Sequence, residues 1–160
     1  MSDLLANPPL PDSPSGQPFH RSVGGRVARA VAAVGLAYDA YSHLDLAAGF
    51  DANTAAISQG MLFRVNAVLA CLAALGVLLI RRRAAALFAV LVAATTLSAV
   101  LLYRYIDLGA LGPLPDMYEP SWYPEKTLSA IAEAGAVIAA GALLLVGRLK
   151  VSALTRPDSG

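Results

Sequence analysis

The chain has 160 residues, a formal net charge of +1 and a hydrophobic fraction of 57%, against 14% charged residues. Soluble domains usually carry about 25% charged residues, so this composition excludes an ordinary soluble core. The basic residues form no patch that would fit a nucleic-acid groove, which argues against a nucleic-acid partner. A single cysteine, Cys71, excludes an intrachain disulfide and a dithiol active site.

The N-terminal segment, residues 1–20, is polar and rich in proline, serine and aspartate. Such a composition cannot bury a hydrophobic core, so we expect a disordered tail. Positive charge followed by an apolar run begins only at Arg21, which is not the pattern of a cleavable signal peptide. The first apolar segment is therefore predicted to be an uncleaved membrane anchor.

Four apolar segments follow, and each is close to the ~20 residues that a helix needs to cross a bilayer. They cover residues 27–46, 60–80, 84–103 and 127–146. Their number and length predict an all-α fold, a four-transmembrane-helix bundle with up-down-up-down topology, in a single domain of residues 21–150. Residues 151–160 are predicted to be a short polar tail.

The charged residues predict how the chain is threaded, because Lys and Arg remain on the cytoplasmic side during insertion. Basic clusters precede the first segment, join the second to the third and follow the fourth. They consist of Arg21, Arg26 and Arg29; Arg81, Arg82 and Arg83; and Arg148, Lys150 and Arg156. We therefore expect both termini in the cytoplasm and the loops around residues 49–57 and 105–125 on the outer side.

The second outer loop is the more distinctive of the two. Prolines at 113, 115, 120 and 124 disfavour regular structure, and Tyr118, Trp122 and Tyr123 are residue types that settle at the lipid headgroups. Pro124 and Glu125 suit the first turn of the following helix. Two interpretations remain open: an interfacial anchor for the fourth helix, or a lid over a cavity.

Polar side chains within the apolar segments are the candidates for a functional site. Counting 1.5 Å per residue from the cytoplasmic ends places one polar residue of each helix about 18–24 Å into the membrane, and Asp39 about 15 Å. Ionisable residues at such depths are costly and are functional candidates if they face the bundle interior. The candidate site comprises Asp39, His43, Arg64, Thr96 and Glu133.

The five residues of this candidate site have structural interpretations as well as functional ones. Arg64 and Glu133 are expected to pair and to lock the second helix to the fourth. Asp39 and His43, four residues apart, share a helix face and can bond, whereas Asn66 is expected to point elsewhere. Asp39, His43 and Glu133 suit a metal in ligand type, but no spacing signature accompanies them. The sequence thus predicts no catalytic residue, cofactor or metal.

Several segments carry a resemblance to known proteins. Residues 41–46 (YSHLDL), 58–64 (SQGMLFR), 102–105 (LYRY) and 112–129 (GPLPDMYEPSWYPEKTLS) resemble uncharacterised small actinobacterial four-helix integral membrane proteins. The resemblance covers about residues 30–147 and implies four spans in a bacterial plasma membrane, with no assigned activity. A looser similarity to DoxX-like membrane proteins rests on span count and size.

Two functions are compatible with these features. One is a non-catalytic membrane protein, either a subunit of a larger complex or a binder of a lipid or quinone-like molecule. The other is a small proton-coupled transporter that uses Asp39 or Glu133 and works as a homo-oligomer, because four helices alone enclose little pathway. No motif favours an enzyme over either of them.

Overall fold

The computed structural model describes the backbone of residues 23–154 and the side chains of residues 23–145. This part of the chain is helical, with no β-strand. Its helices are α1 Val23–Ala47, α2 Gln59–Leu79, α3 Arg83–Tyr105 and α4 Pro124–Leu154, and a 3-10 turn, Ala48–Phe50, follows α1.

These bounds contain the four predicted segments to within one residue, so the prediction of an all-helical fold with four helices is confirmed. The predicted tail at residues 1–20 lies outside the described residues, as do residues 155–160. At the other end α4 continues past residue 146 and includes the first residues of the tail predicted at 151–160.

Local sequence accounts for where the helices begin. The Ser58 hydroxyl accepts a hydrogen bond from the backbone N–H of Met61 at 3.1 Å and so caps the start of α2. Pro124 opens α4 with Glu125 in the first turn, as predicted. Proline fits there because the missing N–H would have no helical partner, and the acid faces the positive end of the helix.

The four helices form a ring in which α1 packs against α2 and α4, and α3 packs against the same two neighbours. Alanine dominates the interior of this ring, as at Ala32, Ala70, Ala89, Ala93 and Ala140, each fully buried. Alanines allow neighbouring helices to approach closely. The small residues Ala136, Ala139 and Ala140 of α4 are likewise buried.

Large apolar side chains lie on the outside of the ring, the reverse of a soluble bundle. Leu79 is 76% exposed and Ile138 73% exposed. Within residues 23–154, three helical segments are long and apolar enough to cross a membrane: Gln59–Leu79, Arg83–Tyr105 and Pro124–Leu145. An alanine interior with a leucine-rich exterior is the distribution expected when lipid is the solvent.

Helix α1, with 25 residues, is long enough but does not meet the same standard of hydropathy and charge. Its C-terminal half carries Asp39, Ser42, His43 and Asp45 among its apolar residues. It nevertheless buries Leu36 and Ala40 completely against the other helices. A fourth membrane span at residues 27–46 therefore stays a prediction.

The α1–α2 and α3–α4 loops meet at one end of the bundle, which we call the loop end (residues 48–58 and 106–123). The Ile57 N–H donates to the carbonyl of Pro113 at 3.1 Å, and the Asn53 amide donates to the carbonyl of Asp116 at 2.7 Å. The Glu119 N–H donates to the carbonyl of Tyr103 at 3.0 Å. These bonds hold the α3–α4 loop, which we call the proline-rich loop (residues 106–123), across the end of the helices.

Candidate functional site

The site begins with Asp39 and His43 on α1. Imidazole Nδ1 of His43 lies 2.8 Å from Asp39 Oδ1 and 2.9 Å from the Asp39 carbonyl oxygen. The Asp39 side chain is fully buried, and that of His43 is 12% exposed. The prediction that these residues share a helix face and bond is confirmed. The His43 ring also packs edge-on against Phe63, with 5.0 Å between the ring centroids, which fixes its orientation.

Asn66 of α2 joins this pair to α3. Its amide nitrogen lies 3.3 Å from both carboxylate oxygens of Asp39. The Thr96 hydroxyl lies 2.8 Å from Asn66 Oδ1 and 3.0 Å from the carbonyl of Val92, so its single proton is shared between two acceptors. The expectation that Asn66 points elsewhere was wrong.

Glu133 brings α4 into the same cluster. The Ser129 hydroxyl donates to Glu133 Oε1 at 2.7 Å, and Ser42 Oγ lies 3.2 Å from Ser129 Oγ. Glu133 is fully buried, yet its Oε2 has no hydrogen-bond partner among the described residues. The ligand-type atoms of Asp39, His43 and Glu133 all lie within 4.8 Å of one another.

We call this group the polar cluster; it comprises Asp39, Ser42, His43, Asn66, Thr96, Ser129 and Glu133. All four helices contribute to it, so it links the whole ring at one level. Of the five predicted site residues it contains four. Buried polar groups are stable only when they are hydrogen-bonded, and most of these groups bond to one another.

Arg64 is the exception, and its predicted pairing with Glu133 was wrong. Its guanidinium forms a bidentate salt bridge with the carboxylate of Asp51 in the α1–α2 loop, with N–O distances of 2.6 and 2.7 Å. The two side chains are 42% and 46% exposed. The Arg64 guanidinium holds the pKa of Asp51 below its ordinary value. Exposed pairs contribute little to stability, so this contact serves mainly to hold the loop.

A cavity of about 460 Å³ lies between the polar cluster and the loop end. Five residues of the polar cluster line one end of it, which we call its polar end: Ser42, His43, Asn66, Thr96 and Ser129. On the loop side, Gln59, Glu119 and Lys126 add further polar groups. Most of the remaining wall is apolar, and includes Leu46, Phe50, Leu62, Phe63, Ala99, Val100, Leu114 and Met117. The combination of one polar end and apolar walls suits an amphipathic molecule.

The proline-rich loop closes part of this cavity through Leu114, Met117 and Glu119. Of the three predicted lid or anchor residues, Tyr123 lines the cavity, and burial raises the pKa of its phenol. Tyr118 and Trp122 lie outside the lining and are 39% and 41% exposed. The loop therefore combines features of both interpretations, with one aromatic residue on the cavity and two on the outer surface.

Trp122 also interacts with cations from two helices. The Arg104 guanidinium and the Lys126 ammonium each lie 5.8 Å from its ring centroid. Lys126 also donates to the carbonyl of Glu119 at 2.6 Å. These contacts tie the loop to the ends of α3 and α4, next to the cavity.

Comparison with known proteins gives no assignment: no protein-family model, curated protein or solved structure matches this chain. Sequence reasoning missed Ser42, Asn66 and Ser129 as members of the site. The small residues Ala67, Ala70 and Ala74, which mark the inward face of α2, were the signal that could have identified Asn66.

Proposed function

We propose that this chain is an integral protein of a bacterial plasma membrane that binds a lipid or quinone-like molecule between its helices and does not transform it. The observation that carries the proposal is the cavity with one polar end and apolar walls. Its volume of about 460 Å³ falls within the range of about 300–1,000 Å³ that is typical of small-molecule sites.

The polar end offers both donors and acceptors to a ligand head group. His43, Asn66 and Thr96 reach the cavity with an imidazole, an amide and a hydroxyl. Because Nδ1 of His43 faces Asp39, the imidazolium form of His43 would donate from Nε2 to a quinone carbonyl or a lipid ester. The apolar part of the ligand fits the leucine and phenylalanine walls. Because His43 and Asn66 are held by Asp39, the polar end is organised before a ligand arrives.

A cavity-filling variant tests the proposal. Ala99→Phe places a bulky ring in the cavity wall and should abolish retention of a bound molecule in native mass spectra of gently extracted protein. Ala84→Phe is the matched control, because Ala84 is an exposed alanine of the same helix. We expect a bound mass in wild type and in Ala84→Phe. No bound mass in wild type, or an equal one in Ala99→Phe, contradicts the proposal.

We also propose that α1 spans the membrane and that both termini are cytoplasmic. The support is the sequence positions of the charged residues: basic clusters lie near the start of α1, at the turn between α2 and α3 and towards the C-terminus, whereas the two loops of the loop end carry acidic residues. Because the four helices alternate in direction, the two ends of a bundle that spans the membrane face opposite sides.

Thiol labelling in intact cells tests this orientation in a Cys71→Ser background. A membrane-impermeant reagent should label cysteines introduced at Asn53 and Ser121. Cysteines at Ser15, Ala84 and Ser152 should react only after the membrane is permeabilised. Labelling of the Ala84 position from outside would reverse the proposed threading.

A proton-coupled transporter is the second candidate, favoured by the two fully buried carboxyl groups of Asp39 and Glu133. Since one ring of four helices encloses little pathway, this function requires an oligomer. The mass of the detergent-extracted protein should then exceed that of one chain after the detergent is subtracted. A strictly monomeric mass without partners argues against transport and leaves the binding proposal intact.

A further inference from the structure

We propose that Asp39, His43 and Glu133 form a binding site for a divalent transition-metal ion, of the Zn²⁺ type, inside the bundle. This inference goes beyond ligand binding in the cavity and shares only His43 with that proposal. The carboxyl groups of Asp39 and Glu133 lie behind the cavity wall, and only His43 of the three lines it.

The geometry supplies three protein ligands from two adjacent helices. Their ligand atoms lie within 4.8 Å of one another. Two ligands on one zinc ion, each at about 2.1 Å, are separated by at most about 4.2 Å. Small side-chain rotations would therefore bring the three atoms around one ion. One imidazole and two carboxylates are a ligand set that suits Zn²⁺, Mn²⁺ and Fe²⁺.

Charge and burial give the second, independent observation. Glu133 is fully buried, and its Oε2 has no hydrogen-bond partner among the described residues. A buried carboxylate requires a donor or a cation nearby. Arg64 of α2 does not supply this cation, because it is bound to Asp51 on the surface and does not reach the polar cluster. A divalent cation would balance both carboxylates and provide a partner for Oε2.

Neighbouring side chains donate hydrogen bonds to the two proposed carboxylate ligands. Ser129 donates to Glu133 Oε1 at 2.7 Å, and Asn66 reaches both oxygens of Asp39. Contacts of this kind orient ligating carboxylates before the ion binds. Because His43 lines the cavity, an ion can reach the site from that side.

The test uses full-length protein in detergent, stripped of metal with a chelator and then titrated with Zn²⁺ alone by calorimetry. We expect one Zn²⁺ per chain in wild type and an affinity at least about a hundredfold lower in Glu133→Gln and in His43→Gln, as the loss of a direct ligand should exceed the usual outer-shell effect. His20→Gln is the matched control, since His20 and His43 are the two histidines of the chain. Its affinity should equal that of wild type.

A Co²⁺ titration of the wild-type protein decides the proposal even if a ligand variant does not fold. Co²⁺ added to metal-free wild type should give the strong visible absorption of a four- or five-coordinate site, and stoichiometric Zn²⁺ should remove it. Failure of wild type to bind Zn²⁺ stoichiometrically, or a Co²⁺ spectrum identical to that of the free aqueous ion, overturns the proposal. Equal Zn²⁺ affinity in a folded Glu133→Gln protein does so too.

Discussion

Replacing Gly35 by leucine should separate α1 from α4 and cause a large loss of stability. A Cβ atom at Gly35 would lie 2.5 Å from the carbonyl oxygen of Ala132 and 3.1 Å from the Cβ of Ala136. A backbone carbonyl cannot rotate away as a side chain can. Overpacking costs about 1–3 kcal/mol even for small additions, and leucine adds far more than a methyl group.

The effect should extend to the polar cluster. Gly35 is one turn from Asp39, and Ala132 is next to Glu133, so the contact between the two helices sets the distance between the two carboxyl groups. We expect a lower melting temperature in detergent and loss of any ion or ligand that the cluster supports.

Gly141→Ala is the control for this prediction. Gly141 lies in α4, and nothing is within 4 Å of a Cβ added there. Since alanine is the better helix former by about 1 kcal/mol, this variant should be as stable as wild type or slightly more stable. Equal melting temperatures for Gly35→Leu and wild type would show that α1 and α4 do not make this close contact.

Asn66→Leu should give the second large effect, because leucine removes the donor that reaches both carboxylate oxygens of Asp39. The substitution has nearly the same shape but leaves a fully buried carboxylate with one donor fewer. Losing the partner of a buried polar group costs about 1–3 kcal/mol, and more for a charged group. Thermal unfolding in detergent should therefore shift clearly downwards.

Two comparisons make this result specific. Arg64→Leu, two residues earlier on the same helix, removes a charge that pairs with exposed Asp51, so its effect on stability should be small. The double variant Asn66→Leu, Asp39→Leu should recover much of the loss, because both polar partners are then replaced by apolar groups. A larger loss for Arg64→Leu than for Asn66→Leu would show that Arg64, not Asn66, faces the interior.

The positions of the helices and one contact of the site, between Asp39 and His43, could be predicted from the sequence. Apolar segment length depends on bilayer thickness, so hydropathy located α2 and α3 to within one or two residues. The bond between Asp39 and His43 followed from helix geometry alone, because residues four apart share a face. Both inferences concern a single helix and need no knowledge of its neighbours.

Contacts between helices were harder to predict, and Arg64 shows why. Counting residues gives the depth of a side chain in the membrane but not the direction in which it points. Arg64 and Asn66 are two residues, or about 200°, apart on the helix, so only one of them can face inwards. In lipid the usual contrast between an apolar inner and a polar outer face is weak, and the inward face follows the small residues instead.

The sequence placed Asp39 and Glu133 in one candidate site, but it could not show that their carboxyl groups lie close together. Their proximity depends on how α1 and α4 are rotated against each other, and the close approach of Gly35 to Ala132 fixes that rotation. A glycine within an apolar helix is too common in membrane proteins to indicate which partner it contacts.

The central claim, that the cavity holds an amphipathic molecule, is tested most directly by photolabelling in membranes. A photoreactive prenylquinone analogue should form adducts on residues 59–66 and 95–103, which contribute to the cavity wall. Excess unlabelled quinone or extracted membrane lipid should suppress these adducts. Adducts found instead on outward-facing residues such as Leu72 and Ile138, with no suppression by competitor, would contradict the claim.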